Sequence, residues 1–140
     1  MVCAAPSYLK ARGTPQTVAS LAEHNCLGYT LSQTPVDRWV FGARAEVNVQ
    51  VTGNLRANNG EALRAAAIEG QGVIYQPTFI VADDLRAGTL VALSLDQPTV
   101  ELGGIYAVSL PDRHSPAKVR TFIDFIVTCF APEPPWDRGF

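Results

Sequence analysis

Residues 55–93 read LRANNGEALRAAAIEGQGVIYQPTFIVADDLRAGTLVAL, and this stretch decides the fold. A short extended piece, LRAN, leads into an alanine-rich segment whose Leu63, Ala66 and Ala67 recur at helical spacing and mark a buried face. Asn58 stands where it caps that helix, with Glu61 three residues on to reach back in a variant of the capping box, and Gly70 supplies the stop. GVIYQP is then a buried strand. A second helix, TFIVADDLRAG, is capped by Thr78 and ended by Gly88, and TLVAL is a further strand. Strand, helix, strand, helix, strand is a crossover pattern, which implies parallel pairing through right-handed connections. The fold class is α/β.

The flanks extend this reading. Upstream, VCAA (2–5) is strand-like, residues 7–12 followed by Gly13 form a short helix, and Thr17 precedes VASLAEH, where Val18, Leu21 and Ala22 recur at helical spacing. Residues 26–31 are a strand and SQTPVD a loop. Residues 38–41, the turn at Gly42 and AEVNVQV, with Val47, Val49 and Val51 alternating against polar residues, resemble a hairpin. Downstream, GIYAVSL (104–110) is a final strand. Ser115 caps a last helix that has Pro116 at its first position and runs to Phe130, and the tail APEPPWDRGF is proline-rich and extended.

Composition narrows the function classes. The chain has 140 residues, 47% hydrophobic and 17% charged, enough to bury a core. Its formal net charge of -2 and scattered Lys and Arg argue against a nucleic-acid surface. Cys3, Cys26 and Cys129 fit neither a disulfide framework nor a C-x-x-C metal pair, so a reducing cytoplasm is expected. No apolar run approaches the roughly 20 residues that span a bilayer, and no export signal is recognisable, so a soluble, unexported protein is expected. The strand-like VCAA begins directly after Met1, from which the chain is expected to be a piece of something longer.

Candidate chemistry is sparse. Gly70-x-Gly72 follows a helix and opens a strand, the reverse of a dinucleotide fingerprint, and Tyr75 stands where the third glycine belongs. His24 and Cys26 are close in sequence, but their side chains diverge and Cys26 starts an apolar strand, which favours a packed thiol. His114 lies in a polar turn. Asp83 and Asp84 make no ligand set and read as a solvated helix face. No catalytic residue, metal site or cofactor is expected. What remains is a binding cleft beyond the carboxyl ends of the strands, where helices begin at Asn58-Asn59-Gly60 and at Thr78 and a strand ends in Gln76-Pro77. The same residues also serve simply as caps, and the sequence alone leaves both readings open.

The ordered set APSYLKARGTPQTVASLAEHNCLGY, Trp39-x-Phe41, VNVQVTGNLRANNGEALRAAAIEGQGVIYQPTFIVADDLRAGTLV and YAVSLPDRHSPAKVRTFIDFIV resembles the effector-binding region of LysR-type transcriptional regulators over nearly all of residues 2–130. The resemblance implies a type 2 periplasmic-binding-protein fold of two α/β lobes around a cleft, joined to an N-terminal winged helix-turn-helix. It further implies that residues 1–104 are the second lobe, 105–130 a strand and helix returning to the first lobe, and 131–140 a tail. The DNA-binding domain and most of the first lobe lie outside the chain.

Carried onto this sequence, the second-lobe wall of the effector cleft falls at Thr30, Ser32 and Gln33, near Trp39, and at Asn59, Gln76, Pro77, Thr78 and Phe79. The expected ligand is a small organic anion, and the expected output is inducer sensing without catalysis. A solute-binding module or an α/β enzyme are the alternatives. The terminal helix carries an apolar arc of about 200° containing Phe122, Phe125, Ile126 and Cys129. Self-association, most simply as a two-fold dimer, is expected to cover it.

Overall fold

The computed structural model describes residues 1–32, 34–100, 105–108 and 116–139. Two compact units result, Met1–Glu101 and Leu102–Phe140. The first contains strands β1 (Val2–Ala4), β2 (Gly28–Tyr29), β3 (Arg38–Phe41), β4 (Val47–Gln50), β5 (Arg56–Ala57), β6 (Val73–Tyr75) and β7 (Val91–Ala92). Its helices are α1 (Pro6–Arg12), a five-residue 3-10 turn (Ala19–Glu23), α2 (Gly60–Ile68) and α3 (Thr78–Ala87). The second unit contains α4 (Ala117–Phe130).

The centre of the first unit is a sheet buried on both faces. Along β1, Val2 and Ala4 pack into one apolar cluster with Tyr8, Leu21, Trp39, Phe41 and Val49, while Cys3 and Ala5 enter a second with Leu63, Ala67, Val81 and Leu90. Val73 and Ile74 divide the same way, as do Cys26 and Leu27. Successive side chains of a strand point to opposite faces, so these strands need apolar residues at every position. That accounts for the unbroken VCAA and GVI. Helices α2 and α3 cover one face, and the β3–β4 hairpin with the 3-10 turn covers the other.

The topology differs from the expected parallel crossover. β6 and β7 do not pair with each other; β1 lies between them and is antiparallel to both, with Cys3 opposite Ile74 on one side and Ala92 on the other. β6 and β7 therefore still run the same way, but the extended N-terminal segment has taken the slot between them. True parallel pairing occurs elsewhere. Gly28 faces Arg56 and Tyr29 faces Ala57, and single parallel bridges join Asn25 to Thr52 and Cys26 to Val73. The crossover from β5 through α2 to β6 thus spans the segment that holds β2. The hairpin is as expected, with Trp39 opposite Val49 and Phe41 opposite Val47.

Several local expectations shift. Asn59, not Asn58, caps α2: its side chain accepts from the N–H groups of Glu61 (2.8 Å) and Ala62 (3.3 Å), as a cap does for the second and third helical positions. That frame puts Glu61 one position too early to reach back, and it pairs with Arg64 at 3.2 Å instead. Thr78 is the first residue of α3 rather than its cap, a place taken by Pro77. Residues 19–23 form only a 3-10 turn, in which Val18 and Leu21 are buried and Ala22 is exposed; three residues per turn align the first two and not the third. Gly70 and Gly88, at φ +74° and +73°, end α2 and α3 as expected.

In the second unit α4 starts one residue later than expected, with Pro116 before it; Ser115 and His114 lie outside the described residues. Of the expected strand 104–110, residues 105–108 form no strand among the described residues, and the remainder lies outside them. An apolar run makes a strand only where a partner supplies hydrogen bonds. The tail is not extended: Asp137 N–H donates to the Pro134 carbonyl at 3.0 Å, and the Trp136 ring lies 5.0 Å from that of Phe130. Burying an indole against a phenyl ring outweighs the intrinsic preference of the prolines.

Candidate functional site

Parallel pairing brings three chain ends to one edge of the sheet. The segments ending at Thr30, at Ala57 and at Gln76 all run in one direction, because residues 25–29 are parallel both to residues 52–57 and to Val73. Thr30 N–H donates to Ala57 O at 2.9 Å, which sets Thr30 two residues from the Asn59 cap. Gln76, three residues beyond the Cys26–Val73 bridge, is level with Tyr29. At this edge α2 and α3 begin, and the first N–H groups of a helix give it a positive end.

Gln76 is the unusual member. Its main chain is tied to the first residue, with Gln76 N–H donating to Met1 O at 2.9 Å and the Met1 amino group donating to Gln76 O at 2.5 Å. The residue is only 3% exposed, yet Nε2 has no hydrogen-bond partner among the described residues. The carboxamide oxygen faces Gly60, the first residue of α2. Phe79 is exposed on the first turn of α3 at 52%.

The other expected site residues fare differently. Ser32 is exposed and turns its hydroxyl onto Thr34 O at 2.6 Å, a local turn contact. Gln33 lies outside the described residues. Trp39 packs in the core, its ring 5.6 Å from Tyr75 and edge-on to it, while Phe41 stacks on Tyr75 at 5.3 Å. The aromatic content once available for a ligand is thus committed to packing, Phe79 excepted.

Asp84 is not on a solvated face. It is buried, and Arg64 reaches across from α2 to grip it through Nε and, at 2.9 Å, through Nη2, while Thr89 Oγ1 donates to it at 3.0 Å. The carboxylate holds the Arg64 guanidinium above its usual pKa. Asp83 remains outward, paired with Arg86 at 3.0 Å. This clamp fixes α2 against α3 and so sets the spacing of their N-termini. No periodicity links two residues twenty apart, which is why sequence reasoning missed it.

A concavity of about 520 Å³ lies at the opposite, amino ends of the same strands, lined by Ser7, Tyr8, Arg12, Asn25, Asn54 and Gln71. Three of its lining residues are tied together: Asn25 Nδ2 donates to Asn54 Oδ1 (2.8 Å) and Gln71 O (2.5 Å), and Asn54 N–H returns to Asn25 Oδ1 (2.9 Å). It reads as a structural seam. Nearby, His24 Nδ1 meets Tyr8 OH at 3.2 Å rather than Cys26, whose thiol donates to Leu21 O at 3.4 Å. Burial pushes the Cys26 and Cys3 thiols up to about 12, so neither offers a thiolate nucleophile near neutrality.

His24 gives the fold a pH dependence of definite sign. Burial, reinforced by Arg12 and opposed by Glu23, holds its pKa below the ordinary value of about 6.5. Between the folded and unfolded values the unfolded chain binds more protons, so stability rises with pH through that window and is complete above it. The thermal midpoint should therefore fall as pH drops from 7 to 5, and His24→Gln should flatten that fall. A midpoint that climbs on acidification would contradict the assignment.

Residues 1–130 match the family model of the LysR substrate binding domain. This chain belongs to that family. It is 31% identical over 126 residues to the HTH-type transcriptional regulator CrgA of Neisseria meningitidis serogroup B and 35% identical over 132 residues to the HTH-type transcriptional regulator PtxR of Pseudomonas aeruginosa. These matches cover 90% and 94% of the chain but 42% of each relative, so the chain spans about two-fifths of their length. The solved regulatory domain of CrgA superposes with a TM-score of 0.70 at 27% identity, over 91% of this chain and 62% of that one. The mixed α/β, periplasmic-binding-protein-like architecture expected of a LysR-type domain is therefore the one present. Among the described residues no helix is long and apolar enough to cross a membrane, and no cluster of His, Cys, Asp and Glu could hold a metal ion.

Proposed function

We propose that the chain is the second lobe of the effector-binding domain of a bacterial LysR-type regulator, with residues 105–130 returning to the first lobe and 131–140 a tail. It works without catalysis in the cytoplasm, and reaches DNA only through an N-terminal domain outside this chain. The observation that carries the reading is the buried Gln76 carboxamide, with an unpartnered donor, set where α2 and α3 both begin. A small organic anion occupies that edge, contacting Thr30, Asn59 and the 76–79 segment. Ligand contact with both lobes would favour a closed arrangement over an open one, and that difference would be relayed to the DNA-binding domain.

The test uses a two-lobed protein that includes the N-terminal part its relatives carry. Thr78→Ala, at the first position of α3, should weaken effector binding about fivefold in calorimetry while circular dichroism stays unchanged. Equal affinity with the fold intact would reject this placement.

We further propose that the isolated chain covers the apolar side of α4 with a second copy. Phe122, Phe125 and Val127 are 63%, 62% and 58% exposed. Burying each such side chain contributes about 1.5–3 kcal/mol, which favours association at micromolar concentration. Light scattering should show a dimer that Phe122→Asp converts to monomer, and a wild-type monomer would contradict the pairing.

A further inference from the structure

We propose that Gly60 is a positioning residue for effector recognition: by carrying no side chain it lets the Gln76 carboxamide dock by its oxygen on the first turn of α2, leaving Nε2 as a donor that selects an effector with an acceptor oxygen, carboxylate or carbonyl, at that point. The inference rests on the α2 and α3 N-termini being the effector site. Gly60 is not demanded by the backbone, since its φ lies outside the left-handed region and Asn59 already caps the helix. Space demands it. A Cβ there would stand 2.5 Å from Ile80 Cδ1 on α3, 3.0 Å from Gln76 Oε1 and 3.6 Å from Gln76 Cδ.

The orientation of the carboxamide follows from electrostatics. The first turn of α2 presents N–H groups and the positive end of the helix dipole, which attract the oxygen and repel the amino group. With the oxygen on that side, Nε2 has no hydrogen-bond partner among the described residues, a rare state for a buried donor. An arriving acceptor relieves it, whereas a cation or a donor would meet Nε2 and the helix N-terminus, all positive. Nε2 is covered in the free chain, so the acceptor displaces what covers Nε2 while the oxygen stays docked at Gly60.

The experiment is an NMR titration of the 140-residue chain with two phenyl probes of similar size and opposite charge, benzoate and benzylamine, following backbone amides and the Gln76 side-chain NH2 pair. Benzoate should shift the Gln76 pair and the amides of residues 59–61, and benzylamine at equal concentration should leave them in place. Gly60→Ala should weaken benzoate at least fivefold. Gln76→Glu should reverse the preference between the probes, and Gln76→Met, neutral and without a donor, should abolish it.

If benzoate moves the first turns of α2 and α3 but benzylamine binds them within twofold, or Gln76→Glu leaves the preference unaltered, the site stands and the role of Gly60 and Gln76 is overturned. If benzoate moves no amide in either first turn, the site reading falls and takes this inference with it.

Discussion

Gly53→Ala should cost about 4 kcal/mol or more, among the largest effects of any single methyl group in this chain. A Cβ at Gly53 would lie 1.9 Å from Cys26 O and 2.7 Å from Cys26 C, which are main-chain atoms that cannot swing aside. Relief requires residues 52–55 to part from residues 25–28. That movement breaks the bonds from Cys26 N–H to Thr52 O (2.8 Å), from Gly28 N–H to Leu55 O (3.0 Å) and from Asn54 N–H to Asn25 Oδ1 (2.9 Å). Each is worth about 1 kcal/mol net, and disturbing Cys26 and Leu27 opens both apolar clusters as well. Against a total stability of roughly 5–15 kcal/mol the protein would be close to unfolding. Gly88→Ala is the comparison: its Cβ meets nothing, but φ of +73° imposes a penalty of about 1 kcal/mol. Urea unfolding of both variants gives the two numbers, and a Gly53→Ala loss below that of Gly88→Ala would contradict the geometry.

The second large effect lies in the Arg64–Asp84 clamp. Arg64→Met leaves Asp84, with its side chain 8% exposed, without its cationic partner. Removing one member of a buried pair costs about 3–5 kcal/mol, and the 31% exposure of Arg64 puts this case at the lower end, about 3 kcal/mol. For a unit of this size the thermal midpoint should fall by about 10 °C. Arg64→Met combined with Asp84→Leu removes the stranded charge and should recover most of the loss. An Arg64→Met midpoint within 2 °C of the parent, measured by calorimetry, would mean that water already solvates Asp84.

What the sequence discloses and what it conceals follow from the range of each interaction. The hairpin was legible because Val47, Val49 and Val51 alternate over adjacent residues, and both helix stops because Gly70 and Gly88 answer a local conformational need. The place of β1 between β6 and β7 was not, since Val2, Cys3 and Ala4 pair with residues 73–75 and 91–92, far along the chain, and nothing in the composition of VCAA names its neighbours. The Asn58-Asn59 pair offered two possible caps, and the helix took the second. Within the candidate site, Gln76 and Asn59 were accessible as the ends of a strand and the start of a helix. The resemblance puts the cleft wall near Trp39, and an aromatic residue near a cleft and one in a core have the same sequence signature; Trp39 packs in the core against Tyr75. Gly60 was legible as part of a helix start, but its closeness to Ile80 and Gln76 was not, because that relation is one of space, which no residue pattern encodes.

The most direct test of the effector-lobe account is to map backbone amide shifts of the chain across a panel of small organic acids. The account expects responses that cluster at Thr30, at residues 59–61 and at residues 78–80, the shared carboxyl edge of the parallel segments. Shifts gathered instead at Ser7, Asn25, Asn54 and Gln71, at the opposite ends of the same strands, would contradict it.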